Sequence, residues 1–385
     1  MAKLILFGAY DRFNYGDMLM PMVIHRYFER YHDDMLAKYD VRFASLTKSD
    51  MRDRDCLPSE AIMDIVPQEG DDSAVIVCGG EVIATSESAL FLHNASSREE
   101  AIDMRAQAKS DPDAFASHAR KELGGIWSCP YVPPPEMFGN GVYFVAAGGK
   151  IPKRGEEMTR RLAGATHVSI RDRRALEPIR ATGQDVRLAP CAVSLIADGL
   201  FSDLEKHDVG CDAPYFVFQC VNDDNMSPEA VAAQLRRICQ TSGCKVYLTP
   251  LGYAADHDDQ LILGKIADEL GDLALIDKVG SLSSILSIFK GASFYIGTSL
   301  HGTITSMAYG IPYFNFKQRI GKLGAYLNSW TNDPFFERVY TPTNMGKTPW
   351  PQGLARRRSL SANAPRLAKR AAENLDVIAA KLRDR

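Results

Sequence analysis

No stretch of this sequence approaches the ~20 consecutive apolar residues that a membrane-spanning helix requires, so no transmembrane helix is expected. The eight cysteines, at 56, 78, 129, 191, 211, 220, 239 and 244, form no CxxC pair and no His-spaced metal pattern. A structural zinc module or a thioredoxin-like redox motif therefore has no support. No GxGxxG follows the first apolar run, which argues against a nicotinamide cofactor. A large excess of either charge is missing as well. A net charge of −3 gives no broad basic surface for wrapping nucleic acid, although it leaves room for a local basic pocket around a phosphorylated small molecule. Short-period repeats and low-complexity tracts are missing.

What is present is ordinary globular composition, 45% hydrophobic and 24% charged over 385 residues, enough for two domains of ~100–200 residues each. The opening MAKLILFGAY has no small-residue cleavage site after it and reads as a first strand, not a leader. Cys78, Cys191 and Cys220 sit in apolar runs, where cysteine behaves as a small buried hydrophobe. Reduced thiols and a cytoplasmic location are the expectation.

Short apolar runs alternate with helical segments, the mark of parallel α/β layers. In the first half strands are expected over 3–9, 41–46, 74–78, 142–147, 167–170 and 186–189. Helices fit 18–31, 156–165 and 173–181, with 98–123 helical and broken at Pro112. The second half repeats the plan, with strands over 215–221, 245–248, 273–276, 293–296 and 312–316. Its helices fall at 228–241, 256–270, 282–289 and 303–309. Ser227 and Pro228 suit the start of one helix, and Gly243 and Gly271 suit two helix ends. The halves join near 194–214, with polar 198–212 as linker, giving domains of 1–200 and 201–385. A final helix over 362–385 is expected to pack back on the first domain. In open parallel sheets the ligand sits beyond the carboxyl ends of the strands, so two facing doubly wound sheets would place one site in the cleft between them.

Four segments lie at such strand ends. FGAYDRFNYGDML, residues 7–19, passes from a strand through a polar loop to Gly16 and Asp17 at a helix start, where N–H groups can meet an anion or a sugar hydroxyl. Asp17 equally serves as a helix cap, and Asn14 as a turn residue. VIVCGGE, residues 75–81, ends a strand in Gly79 and Gly80, which allow close approach of backbone to ligand or simply make a tight turn. In HVSIRDRRALE, residues 167–177, Arg171 stands at the strand edge. There it can grip phosphate or carboxylate, or pair with Asp172 or Glu177. Arg173 and Arg174 read as solvated helix residues. In FYIGTSLHGTITSMAYGIPYFNF, residues 294–316, His301 stands at the positive end of a short helix beside Thr298, Ser299 and Thr303, placed for proton transfer or phosphate contact. The Asp-Asp pairs beginning at 33, 71, 223 and 258 read as exposed loop or helix-start residues, and no metal is expected.

Taken in order, N-Y-G-D, the Gly79-Gly80 strand end, the strand ending in Arg171 and above all SLHGTITSMAYGIP resemble the polysaccharide pyruvyl transferase family, over roughly residues 3–320. The resemblance implies two facing Rossmann-like domains of GT-B type with the active site in the interdomain cleft, the first domain on the acceptor side and the second on the donor side. It implies phosphoenolpyruvate as donor substrate with no further cofactor, and a sugar or lipid-linked glycan acceptor carrying a diol. The product is a cyclic pyruvate ketal of a polysaccharide precursor. Nucleic acid is not an expected partner, and membrane association is peripheral at most. The family's His-Gly element falls on His301 and Gly302, and its strand-end arginine on Arg171. Three positions depart from the family pattern. Ser299 replaces an arginine, Glu81 replaces a third glycine, and Pro190-Cys191-Ala192 stands where an aspartate is common. Lys317 could supply the missing positive charge.

On that resemblance His301 serves proton transfer or donor contact, Arg171 and Lys317 hold phosphate or carboxylate, and Asp17 orients or deprotonates the acceptor. Asn14, Gly16, Gly79, Gly80, Thr298, Ser299, Gly302 and Thr303 complete the binding surface. Two other readings share these features: a GT-B-like glycosyltransferase using a nucleotide sugar, and a non-catalytic glycan-binding protein that retains the fold.

Overall fold

The computed structural model describes residues 1–66, 71–92, 95, 97–151, 155–205, 208–221, 226–253, 259–277, 280–316, 321–331, 339–347 and 363–385. Two parallel sheets are built in sequence, one from each half of the chain. The first contains β1 (Ala2–Phe7), β2 (Tyr39–Ser45), β3 (Glu60–Ala61), β4 (Ala74–Val77), β5 (Gly141–Ala147), β6 (His167–Ile170) and β7 (Val186–Leu188). The second contains β8 (Tyr215–Gln219), β9 (Lys245–Leu248), β10 (Ala274–Ile276), β11 (Tyr295–Gly297), β12 (Tyr313–Phe316) and β13 (Val339–Tyr340). Their orders are β3-β2-β1-β4-β5-β6-β7 and β10-β9-β8-β11-β12-β13. Counted within each half, both begin with the same doubly wound pattern, reversing direction between the first strand and the fourth. The two switch points are therefore β1/β4 and β8/β11.

The strands are the apolar runs of the sequence because covered parallel sheets bury both faces. All four residues of β4 and all five of β8 are buried. The edge strands β3 and β13 have two residues each, too short to show a period. The helix at Pro228 starts as its residues require, with Ser227 accepting from the Ala230 N–H at 3.1 Å, and it stops at Gly243 with φ 70°. The segment broken at Pro112 becomes two helices, Arg98–Ser110 and Pro112–Glu122, with Asp111 capping the second through the Ala114 N–H at 3.0 Å.

The junction differs from the expected polar strap. Residues Ala192–Asp198 form a 3₁₀ helix in which Val193, Leu195 and Ile196 are buried. Beyond it Phe201 is buried under Arg26, whose guanidinium stands 4.5 Å from the ring centre. One apolar cluster unites Leu19 and Val23 of the first half, Ile285 and Phe289 of the second, and Leu367 and Leu375 of the final helix. That helix, Asn363–Arg383, lies against the first sheet: Lys381 Nζ donates to the Thr166 carbonyl at 2.6 Å, and His167 Nε2 meets Asn374 Oδ1 at 3.0 Å.

Candidate active site

At the first switch point, β1 ends and the loop leads to the helix Tyr15–Tyr31. This helix starts three residues before the apolar periodicity predicts, so Gly16 and Asp17 belong to its first turn. Asn14 occupies the cap position without a side-chain cap bond. Its backbone bridges instead to Gly252 of the other half, where the Tyr15 N–H donates to the Leu251 carbonyl at 2.9 Å. After β4, Gly79 and Gly80 take φ of 80° and 82°, a region open chiefly to glycine. A side chain on Gly80 would also crowd the Asp17 carboxylate, its Cβ lying 3.3 Å from Oδ1.

At the second switch point β11 runs into the helix Leu300–Ala308, whose cap is Ser299, accepting from the Gly302 N–H at 3.2 Å. The helix begins three residues earlier than its sequence pattern suggests and so carries His301 in its first turn. Gln219, at the end of β8, holds the preceding loop. Its Oε1 accepts from the Thr298 N–H at 3.1 Å and the Ser299 N–H at 3.0 Å, while its Nε2 donates to Asp259 Oδ2 at 2.8 Å. Asp259 is itself buried, unlike the exposed residue its Asp-Asp pair suggests.

Arg171 follows β6 and is 1% exposed. Its Nη2 donates to Glu81 Oε1 at 2.5 Å, so its carboxylate partner is neither Asp172 nor Glu177. Arg174, expected in solvent, instead grips both Glu81 (2.7 and 3.0 Å) and Asp172 (2.6 and 2.7 Å), whereas Arg173 is exposed. The Arg171 carbonyl accepts from Trp330 Nε1 at 2.7 Å, which ties the strand end to the helix Gly321–Trp330. That helix brings in Lys322.

These residues surround a cavity of about 430 Å³, within the ~300–1,000 Å³ usual for small-ligand sites. Asn14, Asp17, Gly79, Gly80 and Arg171 line it from the first half, and Thr298, Ser299 and His301 from the second. Gly16 lies beneath the His301 ring. Gly302 packs on Tyr295 and Leu251, and Thr303 turns its hydroxyl to the Ser299 carbonyl at 3.0 Å, so neither lines the cavity. Lys317 lies outside the described residues.

Arg12, Glu81, Gln219, Asp259 and Lys322 also line the cavity and were not singled out as site residues from the sequence. For Lys322 the signal was present: apolar Leu323, Tyr326, Leu327 and Trp330 follow helical spacing. For Gln219 and Asp259 nothing in the local pattern marks the role. Among the described residues, no group of three or more His, Cys, Asp or Glu could hold a metal ion, and no helix is long and apolar enough to cross a membrane.

The electrostatics follow from burial and close cations. Burial, then the charges of Arg171 and Lys322, push His301 well below its ordinary value, so the imidazole is neutral. Its Nε2 is buried without a hydrogen-bond partner among the described residues, as are Nε and Nη1 of Arg171. Burial raises Asp17 against the opposing pull of Arg12, Arg171 and Lys322. Burial and Arg171 lower Lys322. Burial would raise Glu81 too, but Arg171 and Arg174 outweigh it and hold the carboxyl at about 2. The charged residues lining the cavity thus balance: Arg12, Arg171 and Lys322 face Asp17, Glu81 and Asp259.

Two doubly wound sheets with facing switch points and one cavity at their junction define an α/β protein of the GT-B-like class. The model of the polysaccharide pyruvyl transferase family matches residues 14–317, and the chain belongs to that family. Among solved structures it is similar to the UDP-GlcNAc 2-epimerase of Neisseria meningitidis bound to UDP-GlcNAc, at 7% identity, with all of both chains covered and a TM-score of 0.52. The UDP-GlcNAc 2-epimerase of Methanocaldococcus jannaschii is 14% identical over 94% of this chain and all of that one, with a TM-score of 0.48. At 7% identity the likeness to the Neisseria enzyme is one of fold. No curated protein matches the sequence.

Proposed function

We propose that the protein transfers pyruvate from phosphoenolpyruvate to two hydroxyls of a sugar in a glycan precursor, closing a cyclic ketal and releasing inorganic phosphate. Family membership supports the reaction class. The observation that carries the assignment to this cavity is the set of buried polar atoms that border it without partners among the described residues, Nε and Nη1 of Arg171 and Nε2 of His301. Buried polar atoms of this kind are costly unless a ligand meets them.

In the reaction a proton adds to the methylene carbon of the enol, and the adjacent carbon accepts one sugar hydroxyl. That carbon's bond to the phosphate oxygen then breaks, and the second hydroxyl closes the ring. Of the two hydroxyl protons lost, one is balanced by the proton added to carbon and the other leaves with the released phosphate. Arg171 and Lys322, both lining the cavity, hold the donor's anionic groups. His301 is neutral in the free protein, and an anionic donor beside it raises its proton affinity. It therefore binds a proton with the donor and delivers it to the methylene carbon. Asp17, with its raised proton affinity, accepts a hydroxyl proton.

Incubation with phosphoenolpyruvate and a panel of sugar diols on nucleotide or lipid carriers tests this. The expected result is phosphate release that depends on the acceptor, with the glycan gaining one pyruvate less one water. Transfer of a sugar from a nucleotide sugar, with no use of phosphoenolpyruvate, would move the protein to the glycosyltransferase reading.

A further inference from the structure

The cavity's principal anion grip is already occupied by the protein itself. Glu81 Oε1 sits 2.5 Å from Nη2 of Arg171, the nitrogen common to both two-point edges of the guanidinium, while Nε and Nη1 have no partner among the described residues. A phosphate or carboxylate gains its strongest grip on arginine by taking two N–H groups along one edge. Glu81 stands where that second contact would be made.

Which partner can yield is decided by packing. Arg171 is 1% exposed, and its carbonyl is bound by Trp330. Its guanidinium also lies on Gly148, where a Cβ would come within 2.5 Å of Nε. The Glu81 side chain is 31% exposed. It also has a second holder, since Arg174 contacts both carboxylate oxygens, Nη2 to Oε1 at 2.7 Å and Nη1 to Oε2 at 3.0 Å. Glu81 can leave Arg171 and stay paired.

We propose that Glu81 is a resident counter-ion that an anionic ligand displaces from Arg171, with Arg174 retaining the carboxylate once it is displaced. Free, the protein keeps its buried guanidinium neutralised, as a buried charge requires. Bound, the ligand's oxygen takes the place of Oε1, and the balanced charge of the cavity turns positive around the ligand. Glu81 acts on affinity through Arg171 and is a positioning residue. The inference rests on the reading of Arg171 as the anion grip and adds to it a competitor within the chain.

Calorimetric titration of the full-length protein at pH 7 with inorganic phosphate and with phosphoenolpyruvate tests the exchange. Glu81→Gln removes the competitor and is expected to bind both at least tenfold more tightly than the wild type. Arg174→Gln removes the second holder, leaves Arg171 paired, and is expected to bind both at least tenfold more weakly. In the Glu81→Gln background, Arg174→Gln should lose most of its effect, because no carboxylate remains to be held. Mere loss of structure would weaken binding in every variant. Unchanged or weaker binding in Glu81→Gln overturns the exchange, and so does an Arg174→Gln effect of equal size in both backgrounds. If wild type and Glu81→Gln bind neither anion, the anion-grip reading of Arg171 fails and takes this inference with it.

Discussion

His301, from the second half of the chain, rests its imidazole on the α-carbon of Gly16 in the first: a Cβ at Gly16 would stand 1.6 Å from His301 Nδ1. Gly16 lies in the first turn of a helix with no left-handed backbone to accommodate, so its missing side chain serves space alone. Alanine there is the better helix former by ~1 kcal/mol, so backbone propensity does not oppose Gly16→Ala. The imidazole must move, and displacement of a reacting group by about 1 Å costs on the order of 100-fold in rate. Gly16→Ala should therefore retain the fold by circular dichroism and lose about that much transfer activity. Near wild-type activity would show that the position of His301 does not matter.

The neutral state of His301 has a consequence for binding. Its proton affinity is lowered by burial and by the cations Arg171 and Lys322, and a bound polyanion opposes those cations. Phosphoenolpyruvate binding near pH 7 should draw a proton from the buffer. Binding enthalpies measured in buffers of different ionisation enthalpy should then show net proton uptake in the wild type and a reduced uptake in His301→Gln. Equal uptake in both would assign the proton to another group.

Much of this architecture was legible in the sequence because covered parallel strands are short apolar runs, and their ends fix where ligands gather. Strand ends at Gly79, Arg171 and Thr298 could be read without knowing what faced them. What could not be read was whatever depends on a partner distant in the chain. Glu81 and Arg174 are 93 positions apart, and nothing local says that a carboxylate beside two glycines meets two arginines. Gln219 looks like one more strand residue until Thr298 and Ser299 are laid against it. The apolar stretch Val193–Ile196 is followed by polar residues that suggest a linker, yet tertiary packing draws it into the core.

Stability should fall on acidification through two buried histidines. Burial lowers His167 to about 4 and His301 well below its ordinary value, so both are neutral when folded. Below about pH 6.5 the unfolded chain binds protons that the native state refuses, and stability declines as pH falls toward the folded values. Each histidine contributes a slope of up to about 1.4 kcal/mol per pH unit. Denaturant melts from pH 7 to pH 4.5 should show the decline, with a shallower slope in His167→Gln. An unchanged slope would remove His167 from the account. Glu81, held at about 2, acts at lower pH: its contribution is complete above the ordinary carboxylate range and is lost as pH falls toward 2.

Gln219→Ala should cost both stability and activity. It takes the Gln219 acceptor from the buried Thr298 N–H and leaves the Ser299 N–H only its longer bond to Tyr295 Oη at 3.3 Å, and an unsatisfied buried donor costs about 1–3 kcal/mol. The loop that leads into the His301 helix loosens with it. The expected outcome is a lowered melting temperature together with a fall in kcat that exceeds any change in KM. A variant with normal kcat would place Gln219 outside the positioning of the loop.

Calorimetry on wild type and Arg171→Ala tests most directly whether this cleft binds phosphoenolpyruvate through Arg171. Loss of one partner from a buried charged contact costs about 2–5 kcal/mol, so the alanine variant should bind at least about thirtyfold more weakly. Arg171→Lys should recover only part of the loss, because the planar fork is gone. Binding by the wild type that weakens in this order is the predicted result. Equal affinity in wild type and Arg171→Ala, or binding of a nucleotide sugar with none of phosphoenolpyruvate, would contradict it.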